Sequence, residues 1–180
     1  MTPRLCRALT DRLRPSQDIF SSGIDLGCGT GLAGEQFRDI TGFLCGIDVS
    51  REMVAKAREK NIYDEIEIAE ICAFLETTVR RFDLFIAADV VVYFGDLSRL
   101  LRAIAQVANS QALVVFSTEK YDGSGYGLCD TGRYAHAPAH VVDQSRELGF
   151  SVLAQQDAVI REQNGEPVAG QLFALSCTDN

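Results

Sequence analysis

Gly23-Ile24-Asp25-Leu26-Gly27-Cys28-Gly29-Thr30-Gly31 is the stretch on which the fold turns. An apolar run over 18–26 ends in Asp25-Leu26 and breaks into glycines at every second position, which reads as a buried strand entering a tight turn. Glycine there permits positive φ and lets a ligand come close to the backbone. Residues 32–40 follow as a short helix stopped by Gly42, and 43–47 as a second buried strand. The unit then repeats. Ser50 caps a helix over 51–60 that Asn61 ends. Ile66 and Ile68 alternate with Glu65 and Glu67 as a third strand, with a short helix through Phe74 behind it. Residues 82–88 are apolar apart from Asp83, a fourth strand covered on both faces. Leu97, Leu100, Leu101, Ile104 and Val107 set a helix over 97–108, and 112–117 make a fifth strand.

Beyond Tyr121 the texture changes. Residues 121–132 are rich in glycine and read as a loop. A helix over 138–148 is ended by Gly149, and 150–160 and 171–177 are closing strands. Gln163-Asn164-Gly165-Glu166-Pro167 joins them as a hairpin connection longer than the minimal two residues. Strands alternating with helices, closed by a hairpin, predict an α/β fold of three layers, with a largely parallel sheet and an antiparallel edge. No repeat or linker divides the chain, so 1–180 reads as a single domain. A short helix over 4–14 occupies its first eighteen positions.

The chain has 180 residues, 47% hydrophobic and 23% charged, enough for one core without staples. Acidic residues number 25 against 17 basic ones, a net charge of −8 that opposes binding to nucleic acid or anionic membrane surfaces. No apolar run approaches the ~20 residues of a membrane span, and the N-terminus has no apolar signal core. A cytoplasmic location is the expectation. Cys6, Cys28, Cys45, Cys72, Cys129 and Cys177 are scattered without a C-x-x-C pair and read as reduced, mostly buried residues. His136 and His140 stand four apart, but no neighbouring Cys or Glu completes a ligand set, so no metal is expected.

In an open doubly wound sheet, ligands bind outside the carboxyl ends of the strands. Asp25, Asp48, Glu70 and Asp89 each follow one of the first four strands. Any one of them has a plainer role, because an acid after a strand often caps the next helix. Gly29-x-Gly31-x-x-Gly34 fits a dinucleotide turn, with Asp48 near the place of a ribose-binding acid. Glycine spacing alone leaves that ligand and S-adenosylmethionine both open. Asp25 separates them. A carboxylate at the strand end repels a pyrophosphate, whereas the amino acid end of S-adenosylmethionine offers it an ammonium and offers the turn amides a carboxylate. Asp48 then accepts from both ribose hydroxyls. Glu70 accepts from the adenine amino group, between apolar walls from Met53 and Ile71. An NAD(P)-dependent oxidoreductase is the alternative that this charge disfavours.

Gly23 to Gly31 also resembles the first motif of class I S-adenosylmethionine-dependent methyltransferases, and Gly46-Ile47-Asp48-Val49-Ser50-Arg51-Glu52-Met53 resembles the second. Tyr63-Asp64 through Glu70, Phe82-Asp83-Leu84 through Asp89-Val90, Gly132-Arg133-Tyr134-Ala135-His136 and Gly165-Glu166-Pro167-Val168-Ala169-Gly170 are similar to one bacterial branch. Its members are often linked to tetratricopeptide repeats and are related to the Williams–Beuren-region methyltransferase. The resemblance implies a Rossmann-like sheet of order 3-2-1-4-5-7-6 with strand 7 antiparallel. It implies methyl transfer from S-adenosyl-L-methionine, leaving S-adenosyl-L-homocysteine. Carried over by motif, Asp25, Gly27, Gly29, Gly31, Asp48, Val49, Glu70 and Ile71 become cofactor residues, with Cys28 inside the turn. Asp89 and Val90 lie near the methionine end. Such enzymes commonly carry an N-terminal helical lid, which the single helix here would supply only in reduced form.

The acceptor side falls at the ends of strands four and five and in the glycine-rich loop. Tyr93, Tyr121, Tyr126, Arg133, Tyr134 and His136 are there. His136 is the general base expected near neutral pH, with Tyr134 beside it. Arg133 suits an anionic acceptor, and Tyr93 is a second substrate residue. The plainer reading has Tyr134 and His136 anchoring the loop to the next helix. An Asp-Pro-Pro-Tyr type motif is absent after strand four, where Asp89-Val90-Val91-Val92 stands. A small-molecule acceptor is therefore preferred to nucleic acid. A non-catalytic module that binds S-adenosylmethionine or S-adenosylhomocysteine is the alternative that the reduced lid suggests.

Overall fold

Strands whose residues are apolar on both faces need cover on both sides, and the chain supplies it. A computed structural model describes residues 1–14, 19–163 and 165–177. Asp18, at the expected start of the first strand, and Asn164, in the closing turn, lie outside the described residues. The chain begins with α1 (Thr2–Leu13) and continues through β1 (Phe20–Leu26), α2 (Leu32–Phe37), β2 (Thr41–Asp48), α3 (Arg51–Glu59), β3 (Glu65–Ile68), α4 (Ile71–Thr77) and β4 (Phe82–Ala87). Then come α5 (Ser98–Val107), β5 (Ala108–Lys120), β6 (Tyr126–Leu128), β7 (Tyr134–His136), α6 (Pro138–Glu147), β8 (Phe150–Gln163) and β9 (Glu166–Cys177).

Parallel pairing places β1 between β2 and β4, with Asp25 opposite Gly46 on one side and Ile86 on the other. The main sheet runs β3-β2-β1-β4-β5-β9-β8, with β9 antiparallel to both β5 and β8. That is the expected order, with β8 and β9 as its sixth and seventh strands. Ile24, Leu26, Leu44, Ile47, Leu84 and Ile86 are fully buried, as central parallel strands require. On one face Leu75 of α4, Leu100, Leu101 and Ile104 of α5 and Val141 of α6 pack against the sheet. On the other, Cys6 and Leu9 of α1 meet Ala33 and Phe37 of α2 above Leu84, Ile86 and Leu113. Each such side chain stabilises the fold by roughly 1.5–3 kcal/mol on burial. Among the described residues no helix is long and apolar enough to cross a membrane.

Three departures from the sequence expectation follow from pairing partners. The stretch expected as a loop, 121–132, contains β6, which pairs antiparallel with β7 just beyond it, and β7 pairs with the end of β5 through Glu119–Ala135 and Lys120–His136. Three-residue strands are too short to carry a periodic signal. β5 is longer at both ends than residues 112–117, because Ala108 pairs with Phe82 and Glu119 with Gly170. Of the closing strands, the first runs past 160 and the second begins before 171. Pairing continues to Gln163–Glu166, with Gly165 in the left-handed region at φ +83°. The hairpin arms 161–163 and 166–168 pair only with each other, beyond the reach of β5.

Candidate cofactor site

The carboxyl ends of β1, β2 and β4 open into a cavity of about 550 Å³, within the usual range for small-ligand sites. Chain connections leave β1 in opposite directions there, which makes it the switch point of the sheet. Gly27, Cys28, Gly29 and Thr30 line its floor, and Asp48, Val49 and Met53 line the β2 end. Ala88, Asp89, Val90 and Tyr93 line the β4 end, where the start of α1 and Ile160 and Arg161 of β8 also reach it.

The floor is backbone laid against side chains. Gly27 has φ +71°, and a methyl group on it would overlap the Val90 side chain. Only glycine lets the turn lie this close to the β4 end. Cys28 N donates to Ile47 O at 2.8 Å, tying the turn to β2. Asp48 completes the tie: its Oδ2 accepts from Gly29 N at 2.9 Å and its Oδ1 from Ser50 N at 2.8 Å. An ionised carboxylate has about four acceptor sites, so each oxygen can take one more donor.

Asp25 departs from its expected role. It is buried and does not line the cavity; its Oδ2 accepts from Tyr63 Oη at 2.6 Å, and its carboxylate also accepts from the Gly34 N–H. Burial pushes its pKa up to about 6, against the lowering effect of those two hydrogen bonds, and the nearby Asp48 adds to the rise. The acid fastens the turn to Tyr63 and α2 from beneath, and its side chain is off the cavity wall. Tyr63, which the sequence reading did not single out, lies so close to Gly34 that a methyl there would overlap its ring. The spacing Gly34 to Tyr63 offers no local signal for that contact.

Glu70 is likewise taken by a helix. It is the N-cap of α4, accepting from Cys72 N at 2.9 Å and Ala73 N at 2.8 Å. Partial burial opposes its charge, yet the two amides and Arg99 hold its pKa below the usual carboxylate range. Neither Glu70 nor Ile71 nor Gly31 lines the cavity. Three of the four strand-end acids therefore satisfy backbone N–H groups, and of those only Asp48 also faces the cavity.

Asp89 is the fourth. It holds a left-handed backbone at φ +62°, its N donates to Ser117 Oγ at 3.0 Å, and its Oδ1 accepts from Arg161 Nη1 at 2.9 Å. Arg161 also pairs with Glu119 at the end of β5. Sequence reading missed Arg161, because nothing near it in the chain marks it. Only the return of the hairpin to the cavity does.

The expected catalytic pair lies elsewhere. His136 is 1% exposed, and its Nε2 is 3.0 Å from Gly95 O, so that nitrogen carries the proton and donates. Burial lowers its pKa, against hydrogen bonds to the Gly95 and Phe94 backbone that raise it. Tyr126 packs between His136 and His140 and edge-on to Tyr134. This cluster pins the β6–β7 hairpin to the turn at 94–95. Neither Tyr134 nor His136 lines the cavity, which corrects the general-base expectation. The other ring nitrogen of His136, Nδ1, is buried without a hydrogen-bond partner among the described residues. Arg133 is also off the wall, with Nη1 at 3.4 Å from Gln163 Oε1. Tyr93 does line the cavity, 61% exposed at its rim.

Comparison with known proteins agrees with this geometry. The family model described as "Methyltransferase domain" matches residues 24–116. The ubiquinone biosynthesis O-methyltransferase of Bradyrhizobium sp. (strain ORS 278) is 29% identical over 111 residues, 61% of this chain and 44% of the relative. The malonyl-[acyl-carrier protein] O-methyltransferase of Halalkalibacterium halodurans is 28% identical over 158 residues, 83% of this chain and 58% of the relative. The chain thus spans about half the length of the curated relatives it matches. The crystal structure of the N-methyltransferase NodS from Bradyrhizobium japonicum WM9 superposes with a TM-score of 0.75 at 19% identity, covering 98% of this chain and 96% of NodS. NodS is also known in complex with S-adenosyl-l-homocysteine. A floor of close-packed glycines, an acid at the end of β2 and the matched family model converge: the chain belongs to the methyltransferase domain family.

Proposed function

We propose that this chain transfers a methyl group from S-adenosylmethionine to a small-molecule acceptor and releases S-adenosylhomocysteine. The observation that carries the reading is Asp48, half exposed on the cavity wall and held by Gly29 N and Ser50 N with acceptor capacity left on both oxygens. Two vicinal hydroxyls suit that arrangement. Val49 and Met53, both exposed at the β2 end, present apolar surface for a purine. The Gly27 turn, closed against Val90, leaves backbone where a ligand can approach. When bound, S-adenosylmethionine supplies a methyl carbon made electrophilic by its sulfonium.

The chain's own part is to orient and to exclude water. Asp48 and the turn hold one end, and Asp89, Val90 and Tyr93 border the other, where an acceptor enters. Alignment of the two reactants can account for much of the barrier lowering in such a displacement. Among the described residues lining the cavity there is no histidine or lysine. The acceptor's nucleophilic atom therefore has no imidazole or lysine amine beside it, and Asp48, Asp89 and Tyr93 are the acidic side chains on the wall. The O-methyltransferase names of the curated relatives support oxygen as that atom.

The same reading extends to three further points. Residues 1–180 act as one domain, with α1 beside the cavity as a reduced lid. The motifs at 63–70, 82–90, 132–136 and 165–170 support membership of the bacterial branch linked to tetratricopeptide repeats. The net charge of −8 supports a cytoplasmic protein that does not engage nucleic acid or membrane.

Calorimetry with S-adenosylhomocysteine and with NAD, followed by a methyl-release screen over carboxylates, phenols and amines, tests this. Micromolar S-adenosylhomocysteine binding and turnover of an oxygen acceptor are expected. Absence of binding overturns the reading, and preference for NAD replaces it with the oxidoreductase. The buried state of His136 favours one other outcome, binding without turnover, which would mark a cofactor-binding module.

A further inference from the structure

We propose that Arg161 is a positioning residue for the amino acid end of the cofactor: anchored by Glu119, it holds the Asp89 carboxylate on the cavity wall. This rests on the S-adenosylmethionine reading above and assigns a role within that site.

The cavity has a direction. Asp48 marks its β2 end, the glycine turn crosses β1, and Asp89 stands at its β4 end. A ligand whose ribose meets Asp48 and whose chain crosses the turn brings its amino acid end to Asp89. Asp89 is held from three sides. Its backbone sits at φ +62°, a region that non-glycine residues rarely adopt and that commonly marks function. Ser117 Oγ of β5 accepts its N–H at 3.0 Å. Arg161 Nη1 holds its Oδ1 at 2.9 Å from a position 72 residues away in the chain.

Arg161 is well placed to orient and poorly placed merely to stabilise. Its guanidinium spans two carboxylates, Asp89 in the turn after β4 and the buried Glu119 on β5, with Nη2 on Glu119. Its Nε is buried without a partner among the described residues. A largely buried ion pair with an unsatisfied donor is weak evidence for stability, and such exceptions in folded proteins call for a functional explanation. Two carboxylates against one guanidinium leave this end of the cavity with net negative charge. That is the sign an ammonium group needs, and Arg161 sets where it is displayed. The next residue back, Ile160, also lines the cavity, and its carbonyl accepts from Thr2 Oγ1 of α1. The hairpin therefore ties the β4 end of the cavity to the helix that borders it.

The test compares S-adenosylhomocysteine with 5′-methylthioadenosine, which shares the adenosine and lacks the amino acid end. Wild-type protein and the Arg161→Gln, Arg161→Lys and Glu119→Gln variants are titrated with each. Arg161→Gln is expected to weaken S-adenosylhomocysteine at least tenfold and 5′-methylthioadenosine less than twofold. Arg161→Lys, which can reach one carboxylate at a time, falls between, as does Glu119→Gln. Those two give the same differential measurement if Arg161→Gln does not fold. Equal losses for both ligands, or no loss for either, overturn the positioning role. Wild-type protein that binds neither ligand overturns the cofactor reading, and this role with it.

Discussion

Asp48 and His136 are both polar residues at the carboxyl end of a strand, and the fold uses them in opposite ways. Asp48 ends a central strand whose neighbour β1 breaks into glycines, so its carboxylate braces backbone and still faces a cavity. His136 ends a three-residue strand in an added hairpin, where Tyr126, itself edge-on to Tyr134, packs against it and Gly95 O accepts a hydrogen bond from its Nε2. A strand end makes a site only where the next segment leaves space above it. Beside β1 the glycine turn leaves that space. At β7 aromatic rings fill it.

Four substitutions break or sharpen that contrast. The largest effect is expected for Asp48→Ala, which removes two charge-assisted hydrogen bonds to a bound ribose. At about 1.5 kcal/mol each, affinity for S-adenosylhomocysteine falls about 100-fold by calorimetry. A loss under threefold would show that Asp48 serves only the turn.

Next is Asp25→Asn, read through pH. The folded protein raises the Asp25 pKa from 3.8 to about 6, so between those values it binds more protons than the unfolded chain. Stability from this group therefore falls as pH rises through that window, and the penalty is fully present above it. A shift of two units corresponds to about 2–3 kcal/mol. Urea unfolding at pH 4.5 and 7.5 should show the Asn variant gaining on the wild type by about 2 kcal/mol. An unchanged gap would mean that Asp25 is not the buried acid described.

Tyr63→Phe removes the hydroxyl that partners Asp25 and leaves that acid short of a donor. A stability loss of about 1.5 kcal/mol is expected, with S-adenosylhomocysteine affinity changed less than about threefold. A much larger affinity loss would place Asp25 closer to the ligand than its burial indicates. The smallest effect on the cofactor site belongs to His136→Gln. Loss of one hydrogen bond costs about 1 kcal/mol of stability, while S-adenosylhomocysteine affinity stays within about twofold. A tenfold loss would erase the distinction between the two regions.

The alternating strands and helices through β5 are readable along the chain because most have several buried positions in one period, while β3, with none, shows only its Glu–Ile alternation. Leu97, Leu100, Leu101, Ile104 and Val107 announce α5, and all five are buried. β6 and β7 have three residues each and announce nothing. At the site, Gly27, Cys28, Gly29, Asp48, Val49, Met53, Asp89, Val90 and Tyr93 stand on the cavity wall as their motifs suggest. The motifs do not say which way an acid turns. Asp25 and Glu70 find backbone N–H groups within their own units.

Spacing along the chain was enough for the succession of strands and helices, the glycine turn and the acids that follow each strand, because periodicity and turn chemistry belong to neighbouring residues; the sheet order came from the family resemblance. Which acids face the cavity, why His136 is closed off and how Arg161 reaches Asp89 all depend on residues brought together from distant segments. Those contacts are set by packing, where burial, partner donors and available space are decided together.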